Sequence, residues 1–217
     1  MGRLLVSCFV LALAATTILT TRAHAAPLWG IELYGGWSSY AMSEFNDSLG
    51  TTNQILGSDF EDITGGGAGG FGVRVWPTER IMLRLDFDAL LAETEYSGVT
   101  FDVGPAGVSV GGTYFLTPEG TVRFGIGAGF GIYFIVGQFE GPGASFDTDG
   151  QAVDVHGMGE VTVTLGPGIS LDGILGYRHA KADELTIADH GTNIGVDFSG
   201  MMFRVGLCYD WPRGGPR

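Results

Sequence analysis

The sequence predicts an all-β protein, a closed, antiparallel, up-and-down transmembrane β-barrel of about eight strands. Three observations carry that expectation. First, apolar residues recur at every second position. In TVRFGIGAGFGIYFIVGQFE (121–140), Val122, Phe124, Ile126, Ala128, Phe130, Ile132, Phe134 and Val136 form one parity, against Arg123, Gly125, Gly127, Gly129, Gly131, Tyr133, Ile135 and Gly137. A period of two belongs to a strand, because on a helix of 3.6 residues per turn it would scatter the apolar residues over all sides. A glycine-rich membrane helix is the rival reading, but only 13 residues separate Arg123 from Gly137, short of the roughly 20 a helix needs to cross a bilayer. Second, the chain is 45% hydrophobic with a mean hydropathy of +0.23 despite a formal charge of −13, which suggests a sheet whose apolar face meets lipid. Third, the links between alternating segments are short and long by turns.

The chain opens with a secretory leader on this reading. Arg3 supplies the positive start, residues 4–19 are nearly all apolar, and Ala23-His24-Ala25 offers the small-x-small cleavage pattern, so residues 1–25 are set apart as a signal peptide. Leu5-Val6-Ser7-Cys8 has the letters of a lipoprotein box but precedes most of the apolar run, so lipidation is not expected. Cys8 leaves with the leader. Cys208 then stands alone, no disulfide is expected, and residues 26–217 fit one barrel domain.

The first strand, about 28–39, sets Trp29, Ile31, Leu33 and Trp37 against Gly30, Glu32, Tyr34 and Ser38. The second, about 68–76, sets Phe71, Val73 and Val75 against Gly72, Arg74 and Trp76; in the third Ile81, Leu83, Leu85 and Phe87 oppose Met82, Arg84, Asp86 and Asp88. The fourth, about 107–116, carries Val108, Val110 and Tyr114 on its apolar parity, and the fifth is the stretch quoted above. Val153, Val155, Val161 and Val163 alternate with Asp154, His156, Glu160 and Thr162 in the sixth. The seventh pairs Ile169, Leu171 and Leu175 against Ser170, Asp172 and Arg178, and the last pairs Met201, Phe203, Val205, Leu207, Tyr209 and Trp211 against Arg204, Cys208 and Asp210.

Three links, 77–80, 117–120 and 166–168, are tight turns rich in Pro and Gly. The other four, 42–67, 93–105, 138–151 and 181–195, are long and polar and read as outer loops. Short periplasmic turns and long outer loops are the habit of bacterial barrels. An edge of unpaired N–H and C=O groups in hydrocarbon costs several kcal/mol per group, so the first strand must pair with the last. The chain thus resembles the small eight-stranded outer-membrane proteins of the OmpA-barrel, OmpX and OmpW type. Phe203-x-Val205-x-Leu207-x-Tyr209-x-Trp211 is similar to the terminal strand by which the barrel-assembly machinery selects such proteins, although residues 212–217 run on past the aromatic where these proteins commonly stop. The resemblance implies a place in the outer membrane of a Gram-negative bacterium, with lipid and lipopolysaccharide as neighbours, a monomeric state and no cofactor.

With the apolar parity toward lipid, the other parity fills a narrow lumen. The expected charge network comprises Glu32, Arg74, Arg84, Asp86, Asp88, Arg123, Glu160, Asp172, Arg178 and Arg204, with Asp154 beside them. Counted from the turns, Glu32, Arg74, Arg84, Arg123 and Asp172 should share one depth, with Asp86, Glu160 and Arg204 above. Eight strands leave an interior that side chains just fill, so a structural plug is favoured over a gate or proton path. Trp29, Tyr114, Tyr209 and Trp211 near the turns and Trp37 near the outer rim form the expected aromatic girdle.

Signals of other chemistry are weak. Gly65-x-Gly67-x-x-Gly70 has the letters of a dinucleotide fingerprint but enters a strand and opens no helix. Asp154, His156 and Glu160 share a face and could ligate a metal or relay protons, but one histidine satisfied within the lumen explains them as well. His179 and His190 fall at or in an outer loop, and no His-x-Ser pair suggests a lipid-modifying enzyme. Carboxylates at Glu44, Asp47, Asp59, Glu61, Asp62, Glu140, Asp147 and Asp149 suit solvation, or divalent cations shared with lipopolysaccharide phosphates, and the negative balance disfavours nucleic acid. The expected role is therefore structural or surface-interacting, without catalysis. The alternatives are an OmpW-like channel for small apolar solutes, a lipid-modifying barrel enzyme, and a soluble lipocalin-like barrel with the faces reversed.

Overall fold

The computed structural model describes residues 28–96, 99–141, 144–182, 185–187, 190–191 and 195–211. The expected leader and the 212–217 tail lie outside them. The strands are β1 Leu28–Ser39, β2 Gly65–Trp76, β3 Ile81–Leu90, β4 Ala92–Tyr96, β5 Val99–Phe115, β6 Val122–Gly141, β7 Ala144–Gly166, β8 Ile169–Ala182, β9 Thr186–Ile187, β10 His190–Gly191, β11 Val196–Asp197 and β12 Gly200–Asp210. Among the described residues one helix, α1 Ser43–Leu56, lies between β1 and β2. Its length and polarity do not suit a membrane span.

Every pairing is antiparallel, and the sheet closes on itself. β1 pairs with β2 on one side and with β12 on the other, through Gly30↔Asp210, Leu33↔Leu207 and Trp37↔Phe203. β4 continues the wall of β3 after a break at Leu91, and β11 precedes β12 with a break at Phe198 and Ser199, so the wall has eight strands. Closure leaves no sheet edge within the apolar band, which is the condition hydrocarbon imposes on backbone polar groups.

Sidedness follows the period of two. Leu33 is 71% exposed and Phe134 59%, whereas their neighbours Glu32 and Tyr133 are buried. On β12 the outward apolar run from Met201 to Trp211 covers ten residue steps, which at about 3.3 Å per step and a tilt of about 45° rise roughly 23 Å, close to the ~25 Å apolar band of such barrels. A lipocalin-like barrel with the faces reversed is excluded by this arrangement. Glycines opposite large inward side chains explain the bare parity of β6. A methyl group on Gly129 would collide with the His156 ring, and one on Gly206 with the Glu32 carboxylate. The tight β7–β8 turn needs Gly168, whose φ is 75°.

Two of the expected loops are something else. The 93–105 segment continues the wall as β4 and β5, paired from Ala92↔Val103 to Tyr96↔Val99, and the 138–151 segment continues β6 and β7 as far as Gly141↔Ala144. In the 93–105 hairpin the outward face carries Glu93, Glu95 and Asp102, because a strand above the bilayer has water where a lower one has lipid. The 42–67 segment holds α1, which caps the barrel. Asn46 ties it down, its Nδ2 donating to Ile63 O at 3.1 Å and its Oδ1 accepting from Ile63 N at 3.0 Å.

Candidate functional site

The lumen is filled from one rim to the other in four tiers. Nearest the turns, Arg74, 1% exposed, donates from Nε and Nη2 to the two oxygens of Asp210 at 2.7 Å each, from Nη1 to Asp172 and from Nη2 to Ser170 Oγ at 2.9 Å. Cys208 Sγ adds a contact of 3.1 Å to Asp172. Trp76, Met82 and Phe115 pack below as an apolar floor. Arg123 lies against the rings of this floor at the periplasmic mouth, its guanidinium carbon 4.4 Å from the Trp76 ring centre and 5.0 Å from that of Phe115.

In the second tier Arg84 Nη2 and Thr113 Oγ1 both donate to Glu160 Oε2, at 2.6 Å and 2.7 Å. Arg204 bridges Asp86 at 2.9 Å and Glu32 at 3.3 Å while its guanidinium carbon sits 4.0 Å from the centre of the Tyr34 ring. Forked arginine hydrogen bonds suit such bridging better than an ammonium would. In the third tier Arg178 Nη2 and Tyr133 Oη donate to Asp88 Oδ2, at 3.0 Å and 2.7 Å. Arg178 Nε is 3.3 Å from Asp154 Oδ1, close enough to attract though poorly aligned for a hydrogen bond, and His156 Nδ1 lies 2.6 Å from Asp154 Oδ2.

Above these the inward parity turns apolar. Leu90, Ala92, Val103, Ile135, Ala152, Ala180, Ala182 and Val196 from the wall meet Met42 and Phe45 of the helical cap, with Tyr40, Ile63, Leu185 and Phe198 between them. Tyr133 joins the two regions, its ring within the apolar cluster and its hydroxyl on Asp88. One small cavity, about 30 Å³, lies between the second and third tiers among Tyr34, Ser38, Asp86, Asp88, His156 and Arg178. That volume holds two or three waters by the usual allowance of about 10–15 Å³ each. Tyr34 Oη, Asp86 Oδ1 and Asp88 Oδ1 are buried there without a protein partner and suit such waters.

The depths differ from those counted along the sequence. Glu32, Arg74, Arg84, Arg123 and Asp172 do not form one ring. Arg74 and Asp172 pair below, whereas Glu32 and Arg84 meet Arg204 and Glu160 above them. The stagger of tilted strands in a closed barrel offsets equal distances from the turns. Asp210, absent from the expected network, is the main partner of Arg74; its place as the last residue of β12 disguised it as a rim residue. The apolar upper lumen was also missed: Ile135 alternates with Phe134 and Val136, which are apolar too, and Ala152 and Ala180 are too small to mark a face.

Trp29, Trp37, Tyr114, Tyr209 and Trp211 all lie outward and exposed, with Trp29 stacked on Trp211 at 4.8 Å. His179 Nδ1 lies 3.0 Å from Ser199 Oγ, a histidine–serine contact that no local motif announced. Ser199 is 3% exposed, and its Oγ accepts from Ala180 N at 3.0 Å, which closes the break between β11 and β12. The side chains of Glu140, Asp147 and His190 lie outside the described ones.

A closed eight-stranded antiparallel barrel, with an apolar exterior and its charges around the axis, is an integral β-barrel of the outer-membrane type, and its place is the outer membrane of a Gram-negative cell. Among solved structures the chain is similar to a major outer membrane protein of Thermus thermophilus, at 12% identity over 84% of this chain and 99% of that one, with a TM-score of 0.55. It is also similar to the outer membrane protein OprG of Pseudomonas aeruginosa, at 10% identity over 87% of this chain and 97% of that one, with a TM-score of 0.52. At such identities the likeness is one of fold. No protein-family model matches the chain, and no curated protein matches it significantly in sequence.

Proposed function

We propose that this barrel is a non-conducting, non-catalytic component of the outer membrane that serves envelope integrity or surface interaction. The filling of the lumen carries this reading. A solute would have to displace the apolar cap, break the arginine–carboxylate tiers and pass the Trp76, Met82 and Phe115 floor, all of them buried. Partly breaking a buried ion pair costs about 3–5 kcal/mol, so opening on demand is disfavoured. A channel for apolar solutes would want an apolar funnel beneath the loops. The apolar residues are there, but Met42, Phe45 and Phe198 occupy the space. Against catalysis, the Ser199 hydroxyl is buried and engaged in a backbone hydrogen bond.

The partners on this reading are bilayer lipid and lipopolysaccharide, the latter met through divalent cations, and the assembly machinery through β12. Reconstitution into planar bilayers tests the proposal. The expected trace is flat at physiological potentials; reproducible unitary steps that scale with protein would overturn it in favour of a channel.

A further inference from the structure

At the periplasmic mouth of the lumen a cavity of about 180 Å³ opens between Arg123, Thr164, Ser170 and Asp210 and the turn at Gly166 and Gly168. Arg74, Arg84, Arg178 and Arg204 each hold at least one carboxylate. Of the lumen arginines, Arg123 alone has no acidic partner among the described residues, and its Nε is buried without a hydrogen bond. The Trp76 and Phe115 rings lie against the guanidinium, its central carbon 4.4 Å and 5.0 Å from their centres, which fixes its position and takes up none of its five donors. Beside it, Ser170 Oγ accepts from Arg74 and keeps its own proton to donate. Asp210 is the acidic group on the cavity wall, and Arg74 occupies both of its oxygens.

We propose that this mouth is an oxyanion site, in which Arg123 binds a phosphate or carboxylate group arriving from the periplasmic side, assisted by the hydroxyls of Ser170 and Thr164. A planar fork preset by two rings and facing a cavity is the arrangement that bidentate recognition of such groups requires. Were Arg123 only a wedge sealing the floor, no anion would compete for it. The oxyanion is either a soluble one or the headgroup of a phospholipid at the rim, where the outward Ile169 borders the same cavity. The inference does not depend on a closed lumen, which the conductance experiment tests separately.

The test uses the purified barrel in a phosphorus-free maltoside detergent, with 31P NMR line broadening as readout. Inorganic phosphate is titrated in one arm and dihexanoyl phosphatidylglycerol, kept below its micelle concentration, in the other. Broadening in either arm supports the site and names its source. Arg123→Gln should weaken binding about tenfold or more, and Arg123→Lys, which keeps the charge but not the fork, by several-fold. Arg80→Gln, in the exposed turn on the same rim, should leave it unchanged. Heat-modifiable gel migration checks folding, and Arg123→Lys serves alone if the glutamine variant misfolds. No broadening in either arm, or equal losses for the Arg80 and Arg123 variants, would overturn the proposal.

Discussion

Replacing Arg74 by methionine keeps an unbranched apolar stem and removes a cation that holds two carboxylates. Asp172 has no exposed side-chain surface and cannot recover water in place of the lost guanidinium, and Asp210, 12% exposed at the wall of the periplasmic cavity, recovers it only in part. What remains to them is the Cys208 thiol at 3.1 Å and the Trp76 indole at 3.4 Å, both much weaker than a charged fork. Removing one member of a buried ionic group costs about 3–5 kcal/mol, mostly through the orphaned charges left behind. With a urea slope of about 2 kcal/mol per molar, the unfolding midpoint in lipid vesicles should fall by roughly 1.5–2.5 M. Converting the two aspartates to asparagine in the same chain should recover at least half of that loss, since two neutral amides cost far less than two unpaired carboxylates. A midpoint change below about 0.5 M, or a triple variant no better than the single one, would refute the claim that charge pairing holds this tier together.

Three further outcomes are expected. Gly129→Ala should destabilise by about 1–3 kcal/mol, because the new methyl meets the His156 ring and Val110 O, whereas Gly67→Ala, with open space around it, should stay within about 0.5 kcal/mol; urea midpoints of the two variants check the contrast. Phe130→Arg, near the middle of the apolar band on β6, should cost about 2–4 kcal/mol and Val122→Arg at its turn-side end about 0–1, measured by the same unfolding assay. Tyr133→Phe removes a 2.7 Å hydrogen bond to the Asp88 carboxyl group that Arg178 also holds, and should cost about 1.5–3 kcal/mol while leaving the heat-modifiable gel shift intact.

The wall of the barrel was legible in the sequence because lipid imposes a strict rule. Each strand must alternate, and Phe124, Ile126 and Leu83 against Arg84, Asp86 and Arg123 can obey it in only one sense. Where the rule lapses, legibility lapses too. Above the bilayer Glu93, Glu95 and Asp102 are exposed on strands whose outward face is wet, and these hairpins read as loops. α1 contains Gly50, Thr51 and Thr52 and has weak helical propensity; it is held by Asn46 and by the packing of Met42 and Phe45, none of which a local window reveals. The lumen charges could be enumerated from parity, but their partners depend on barrel stagger, so the pairing of Arg74 with Asp210 across 136 positions emerged only in three dimensions.

The sidedness of the wall has a native probe, because Trp37 and Trp76 lie on opposite faces. Two single-tryptophan variants, the other tryptophans replaced by phenylalanine, would be reconstituted in vesicles of brominated phospholipid and their emission compared with that in unbrominated lipid. With apolar residues toward lipid and charges toward the axis, the Trp37 variant loses most of its fluorescence and the Trp76 variant keeps nearly all of it. Strong quenching of Trp76, or equal quenching of both, would contradict this orientation.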